Sequence, residues 1–354
     1  MKPELLNPVD KRRCPKCWCC VNGWRGRRNR RLFGLMLACG VLLLTATNLS
    51  AEPTVLPRVV VSTDIGGSDP DDFQSMVHYL VYADRFETEA LISSPPGKGR
   101  AEHLLVAISA YEQDYDHLQT WSATYPSPDR LRSVVRQGAI SKQERPTPDD
   151  AISEGAALLV ERGRVDDPRP LYVLVWGSIT DVAQAVHAAP DIRHNLRIYS
   201  IGSWNTSQDR LAREYLFNTY PDLWWIECDT TFRGMYMGGN QEGEWENRRF
   251  PELHVRGHGA LGELFITQKA DIKMGDTPSV LYLLDGNPDT PEAPHWGGAF
   301  VRPDPVGRPT YWNDDPDPHL IVKDKAGAVT VAEWREAFLK DWSDRMDRTM
   351  TIKP

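Results

Sequence analysis

Residues 62–86 read STDIGGSDPDDFQSMVHYLVYADRF and set four aspartates, Asp64, Asp69, Asp71 and Asp72, within nine positions. Carboxylates this close repel one another unless a positive charge sits among them. A hard cation such as Ca2+ meets that need, because it accepts several carboxylate, carbonyl and water oxygens at once. The spacing is not that of an EF-hand, which needs a D-x-D-x-D-G run and a closing Glu, and no Gly-Lys-Ser/Thr follows to make a P-loop. A plainer reading has Asp71 and Asp72 complementing a helix start while Asp64 and Asp69 stabilise turns.

The flanking residues say where this cluster must sit. Val59-Val60-Val61 is continuously apolar, as in a parallel strand covered on both faces. Phe73, Met76, Val77, Leu80 and Val81 then recur as an amphipathic helical stripe. The aspartates therefore fall in a strand-to-helix loop, where open parallel sheets bind ligands. The pattern continues along the chain: ETEALISS reads as a second strand, RAEHLLVAISAYEQ and DDAISEGAALLVERG as helices, and RPLYVLVWGSITDVAQAVHAA as strand, turn and helix with Thr180 at its N-cap. NLRIYSIGSWN and DLWWIEC supply further strands, and TVAEWREAFLKDWSDRM a late helix with a Thr330/Glu333 capping box. Alternation of this kind predicts an α/β fold, an open, mostly parallel sheet with helices on both faces.

The first 51 of the 354 residues read as a leader: RGRRNRR, an apolar core LFGLMLACGVLLLTA, and small residues before Glu52. The expected organisation is a signal peptide over 1–51, a short linker over 52–57 and one domain over 58–350, secreted or periplasmic, with no membrane association after cleavage. Five of six cysteines (Cys14, Cys17, Cys19, Cys20 and Cys39) fall in the leader, so the remainder keeps Cys228 alone and no internal disulfide framework. Ten of the 41 Lys/Arg and two of the 49 Asp/Glu also fall there, leaving 31 basic against 47 acidic residues, a net charge near −16. That balance argues against nucleic-acid partners.

The motifs resemble a known family. VVVSTDIGGSDPDD resembles the opening Asp-rich motif of the nucleoside hydrolases, expanded by three residues; LVWGSITDVAQA and GDTPSVLYLL resemble two later motifs in the right order. DDPRPLYVLVW, HWGG and the terminal WREAFLKDWSDRMD resemble more closely a secreted branch, the nucleoside hydrolase-like domain sometimes described as cellulose-binding. The resemblance covers about residues 58–350 and implies a nucleoside hydrolase-like, Rossmann-like fold. It implies that Ca2+ is ligated by Asp64, Asp72, the Trp176 carbonyl and Asp276, with Asp64 also taking a proton from a water held by that ion. It implies sugar contacts from Asp71, Asn205 and Asn218. Gly275 stands where one group of the family carries a histidine that assists the departing base, and Leu216 stands where a ribose-binding glutamate would be. The cation and part of the sugar site are thus expected without the base-directed groups.

The expected function is a calcium-dependent glycoside or N-glycoside hydrolase acting on a sugar or nucleoside-like substrate. The alternative is a non-catalytic protein binding a cellulose-type polysaccharide. Trp204, Trp245, Trp296 and Trp312, in polar stretches, could stack on sugars or plug core edges. His258 and His295 could supply a general acid or serve as turn residues, Lys98 could reach substrate oxygens or stay solvated, and Cys228 reads as a buried small hydrophobe.

Overall fold

The computed structural model describes residues 55–67 and 69–353; the leader with its five cysteines, and Ser68, lie outside the described residues. The chain runs β1 (Arg58–Thr63), α1 (Asp71–Val81), β2 (Glu87–Ser93), α2 (Ala101–Trp121), α3 (Pro128–Ser133), β3 (Val135–Gln137), α4 (Glu154–Gly163), β4 (Leu171–Val175), α5 (Thr180–Ala188) and β5 (Leu196–Ile201). It continues through α6 (Trp204–Gln208), α7 (Arg210–Thr219), β6 (Trp225–Cys228), α8 (Arg249–His254), α9 (Gly259–Gln268), α10 (Thr277–Leu284), β7 (Phe300–Val301), β8 (Tyr311–Asp314), α11 (Val329–Ala332) and α12 (Arg335–Met346). The strands form one sheet in the order β3-β2-β1-β4-β5-β6-β8-β7, parallel throughout except for the β7–β8 pair.

Every residue of β1 is buried, and its side chains alternate between two cores. Val59 and Val61 pack with residues of α1, α2, α9, α10 and α12 on one face. Val60 packs with α4, α5 and α7 on the other. A strand covered on both sides has no solvated face to reward alternation, which is why its sequence is an unbroken apolar run. Among the described residues no helix is long and apolar enough to cross a membrane.

Helix starts differ from the sequence expectation in three places. Thr180 is the first helical residue of α5 rather than its cap; its hydroxyl donates to Asp209 (2.8 Å). The helix expected from Asp149 begins only at Glu154, where Ser153 Oγ accepts from the Ala156 N–H at 2.9 Å. The Thr330/Glu333 capping box does not form: Ala328 is the N-cap, the Thr330 hydroxyl donates to the Gly327 carbonyl (2.7 Å), and the segment breaks into α11 and α12. At Thr180 and Thr330 a tertiary or neighbouring partner takes the hydroxyl that local pattern assigned to a cap, while at α4 the Ser153 hydroxyl is the cap.

Candidate metal centre and ligand cleft

In the sheet order, β2 and β4 flank β1, so the connections leaving β1 and β4 diverge and open a crevice at their carboxyl ends. Asp64 is the first residue after β1 and Trp176 the first after β4. The Trp176 N–H donates to the Ser62 carbonyl (2.7 Å), fixing the two strand ends together. A Cβ on the next residue, Gly177, would lie 2.8 Å from the Asp64 nitrogen, so only glycine lets the β4 loop come this close.

Helix α1 delivers the other carboxylates. Pro70 is its N-cap and makes no side-chain cap bond, so capping does not account for the aspartates that follow. Instead Asp72 accepts from the Thr63 hydroxyl, and its carboxyl hydrogen-bonds with that of Asp64. From the far end of the chain, Asp276 enters as the residue before α10. Asp71, Asp72 and Asp276 each present an oxygen within 4.8 Å of the others. They line a cavity of about 680 Å³ together with Asp64, Asp69, the Trp176 region and loops after β2, β5 and β6. That volume falls in the range of small-ligand sites.

The electrostatics separate these aspartates. Burial pushes the Asp64 carboxyl up to about 7, opposed by its hydrogen bond with Asp72 and assisted by the charge of Asp71. Burial, then the Asp64 charge, raises Asp72 well above the ordinary range. Burial followed by the charges of Asp72 and Asp71 does the same to Asp276, and burial with Asp72 and Asp69 to Asp71. Asp69 goes the other way: burial opposes the shift, yet an ion pair with Lys273 holds it low. Asp69 is thus neutralised by the protein itself. The Lys273 charge also reaches Asp71, whereas burial dominates at Asp64, Asp72 and Asp276, and Asp276 Oδ2 is buried with no hydrogen-bond partner. A hard, oxygen-seeking divalent cation fits this donor set. Asp71, expected on a sugar hydroxyl, stands within it.

Of the other expected residues, Asn205 lines the cleft and Asn218 does not. Asn205 Nδ2 donates to the Trp176 carbonyl (2.8 Å) and the Ile201 carbonyl (3.1 Å), which leaves Oδ1 for a ligand and a second lone pair on Trp176 O. Asn218 is exposed near the C-terminal end of α7. Because α7 runs from the carboxyl edge of β5 back to the opposite edge, its last turn points away from the cleft, and a sugar-binding role for Asn218 is corrected. Leu216, on the same helix, is a fully buried core residue.

Among the four tryptophans, only Trp204 lines the cleft, 53 % exposed. Trp312 is not in a loop but buried in β8, and Trp245 and Trp296 pack against the core. Neither histidine reaches the site. His295 is fully buried with its ring nitrogens on the Ala293 and Asn287 carbonyls (2.7 and 2.8 Å), and His258 meets Asp347 (3.1 Å). Lys98 is exposed at the cleft, and Cys228 is buried.

Sequence reasoning missed the residues that hold the far end in place. Gln74, wholly buried in α1, donates through Nε2 to the Lys269 and Asp271 carbonyls (both 3.0 Å) and accepts at Oε1 from the Lys273 and Met274 N–H groups (2.9 and 3.2 Å). It fixes the loop that leads to Asp276. Arg233, Tyr236 and Lys273 also line the cleft. A glutamine inside an apolar stripe was the available signal for the first of these.

A family model described as cellulose-binding Sde182, nucleoside hydrolase-like domain, matches residues 58–300. The chain belongs to this family. Its fold is shared with a nucleoside hydrolase-related protein of Saccharophagus degradans associated with carbohydrate metabolism, at TM-score 0.68 and 23 % identity over 84 % of this chain and 73 % of that one. It is also shared with the effector protein XOO4466 (TM-score 0.52, 14 % identity, 84 % and 95 % covered) and a plant nucleoside hydrolase (TM-score 0.50, 17 % identity, 83 % and 99 % covered). No curated protein sequence matches the chain. The eight-stranded, mostly parallel sheet with helices on both faces is therefore the nucleoside hydrolase-like fold of the Sde182 domain family.

Proposed function

We propose that this protein binds Ca2+ through Asp71, Asp72 and Asp276, with Asp64 and the Trp176 carbonyl beside them, and hydrolyses a glycosyl bond in a sugar or nucleoside-like ligand. The observation that carries the reading is the gathering of three carboxylates within 4.8 Å at the crevice of the sheet, one of them with a buried, partnerless oxygen. The family's cellulose-binding description, and the carbohydrate association of the Saccharophagus protein, support a sugar or polysaccharide as the ligand. The leader-like residues 1–51 support a secreted or periplasmic site of action.

A bound cation would neutralise the carboxylates and favour the oxygen ligands of a sugar diol and a water. Asp64, its carboxyl raised by burial, is placed to accept the proton of the attacking water. Asn205 Oδ1 can accept from a sugar hydroxyl, and Trp204 offers a ring face at the mouth. Positive charge building on an oxocarbenium-like sugar would meet the acidic floor of the cleft.

A second reading, a binding protein without turnover, is favoured by one observation: among the described residues no histidine lines the cavity. The two readings part at Asp64. In an enzyme, Asp64→Asn keeps an oxygen donor but removes the base, so binding persists while turnover falls by about two to four orders of magnitude. In a binding protein the same change alters binding alone. Cell-wall oligosaccharides are screened for reducing-end release with calcium present, and binding and rate are compared for the variant. A wild-type protein that binds an oligosaccharide yet releases nothing over days leaves only the binding reading for that ligand.

A further inference from the structure

The cleft carries cations that its aspartates do not account for. Lys273 is spent on Asp69, but Arg233 and Lys98 have no carboxylate within ion-pairing distance among the described residues. Elsewhere among the described residues, three deeply placed arginines meet a carboxylate, Arg58 with Glu89 (2.7 Å), Arg213 with Glu227 (2.6 Å) and Arg345 with Asp84, while the buried Arg335 is satisfied by the Trp245 and Met235 carbonyls and Asn247 Oδ1. A half-buried guanidinium that meets neutral partners only, at the wall of a ligand cavity, keeps its charge open to an anionic ligand.

Arg233 is also held in position. Its Nη1 donates to the Tyr236 hydroxyl (3.1 Å), its Nη2 to Ser203 Oγ (3.3 Å), and its plane lies over the Phe232 ring, 4.9 Å from the centroid. Its buried Nε–H has no partner, and Nη1 and Nη2 each carry a second N–H beyond the bonds just given. Ser203 sits at φ 57°, a left-handed conformation that non-glycine residues rarely adopt. Its own N–H is tied to Asp229 (2.8 Å), a carboxylate on the next strand's loop. Backbone strain at a ligand cavity, stabilised by a dedicated acceptor and presenting a hydroxyl to an arginine, marks a built feature of the site.

Strand order gives the layout. Lys98 follows β2, on one side of the aspartate floor at the end of β1, while Ser203 and Arg233 follow β5 and β6, on the other. We propose that the ligand is an anionic sugar: its hydroxyls face the aspartate floor, and its carboxylate or phosphate is read by Arg233. This rests on the sugar-ligand reading above and adds the charge of the sugar.

The test uses matched pairs that differ only by the charge: glucuronic acid against glucose, and ribose 5-phosphate against ribose. All four are titrated into the calcium-loaded wild type, Arg233→Met and Arg233→Lys proteins. The expected result is that one anionic member binds at least about tenfold more tightly than its neutral twin, a preference that weakens with added salt. Arg233→Met brings the ratio toward one, and Arg233→Lys keeps part of it, which separates a lost charge from a lost fold. The pair that shows the preference identifies carboxylate or phosphate as the group read. Two neutral sugars that bind as well as their charged twins would overturn the charge inference and leave the sugar reading standing. A preference that survives in Arg233→Met would overturn it too. Failure of all four sugars to bind would overturn the charge inference, and the oligosaccharide screen above decides the sugar reading separately.

Discussion

Gln74 Oε1 accepts the backbone N–H of Lys273 at 2.9 Å, joining two residues 199 positions apart. Through this bond and three others, the helix that carries Asp71 and Asp72 also sets the loop that carries Asp276. Gln74 touches no ligand; it positions one half of the acidic cluster against the other. Gln74→Leu leaves the loop's amides and carbonyls unpaired and is expected to cost on the order of 2–4 kcal/mol of stability. It should also weaken calcium binding, which chemical denaturation and calorimetric titration read separately. Unchanged calcium affinity in a folded Gln74→Leu protein would deny it the positioning role.

Calcium should raise the thermal midpoint. At a free concentration of 100 times the dissociation constant, a ligand adds about 2.7 kcal/mol to the folded state. Asp72→Asn and Asp276→Asn are expected to abolish the shift, because each removes a charged ligand from the buried set. Identical melting in calcium and in EDTA at several concentrations would remove the metal from the site.

The pH dependence follows from the direction of the shifts. Asp64 has its folded value near 7 against an ordinary 3.8, and Asp71, Asp72 and Asp276 move the same way. Between those values the folded state holds protons that the unfolded chain has released. Stability without metal therefore falls as pH rises, by about 1.4 kcal/mol per unit for each such proton. Calcium requires the ionised carboxylates, so its stabilising effect grows over the same range. Asp276→Asn separates this from other titrating groups: at about pH 7.5 in EDTA the variant should melt above wild type, and in calcium below it. A variant that melts lower in both conditions contradicts the assignment.

Gly275 offers a sharper test of specificity. A Cβ there would lie 2.6 Å from Asp71 Oδ2, so a side chain at this position presses on the acidic cluster. Gly275→His should lower calcium affinity rather than create nucleoside hydrolysis, and wild type should release little free base from inosine or uridine. Rapid base release by either protein would show that base-directed groups exist elsewhere in the cleft.

Asn218→Ala is the control. The residue is exposed at the opposite edge of the sheet. Its replacement should change stability by no more than about 0.5 kcal/mol, with sugar and calcium binding unaltered. A loss of sugar binding would place the ligand outside the cleft that the aspartates line.

What the sequence made legible was what depends on neighbours in the chain. Val59–Val61 followed by the aspartates fixed a strand, a loop and a helix, and with them the edge at which a ligand would sit. The family motifs added Asp276, which no local pattern links to Asp64. Asn218 misled because motif position says which helix a residue is on but not which end of it faces the cleft. Gln74 showed only as a polar residue inside an apolar stripe, with its partners hidden, and Arg233 and the Ser203–Asp229 bond were illegible for a related reason. Their roles lie in contacts with segments that are remote in sequence or irregular, where neither period nor spacing carries information. Thr180 shows the same limit at a helix start, since the remote Asp209 took its hydroxyl, and at Thr330 the neighbouring Gly327 carbonyl did so.

The placement of Asp72 and Asp276 bears on how the chain matures. An ion held between them would close a loop of roughly 200 residues, the kind of long closure for which a metal clip restricts the unfolded chain most. Until the segment bearing Asp276 has been made and has docked, the aspartates after β1 have nothing to close against. During synthesis the chain would therefore pass through its first six strands with an open, ion-free crevice, and a cation would enter as a late fastener rather than as a seed for folding.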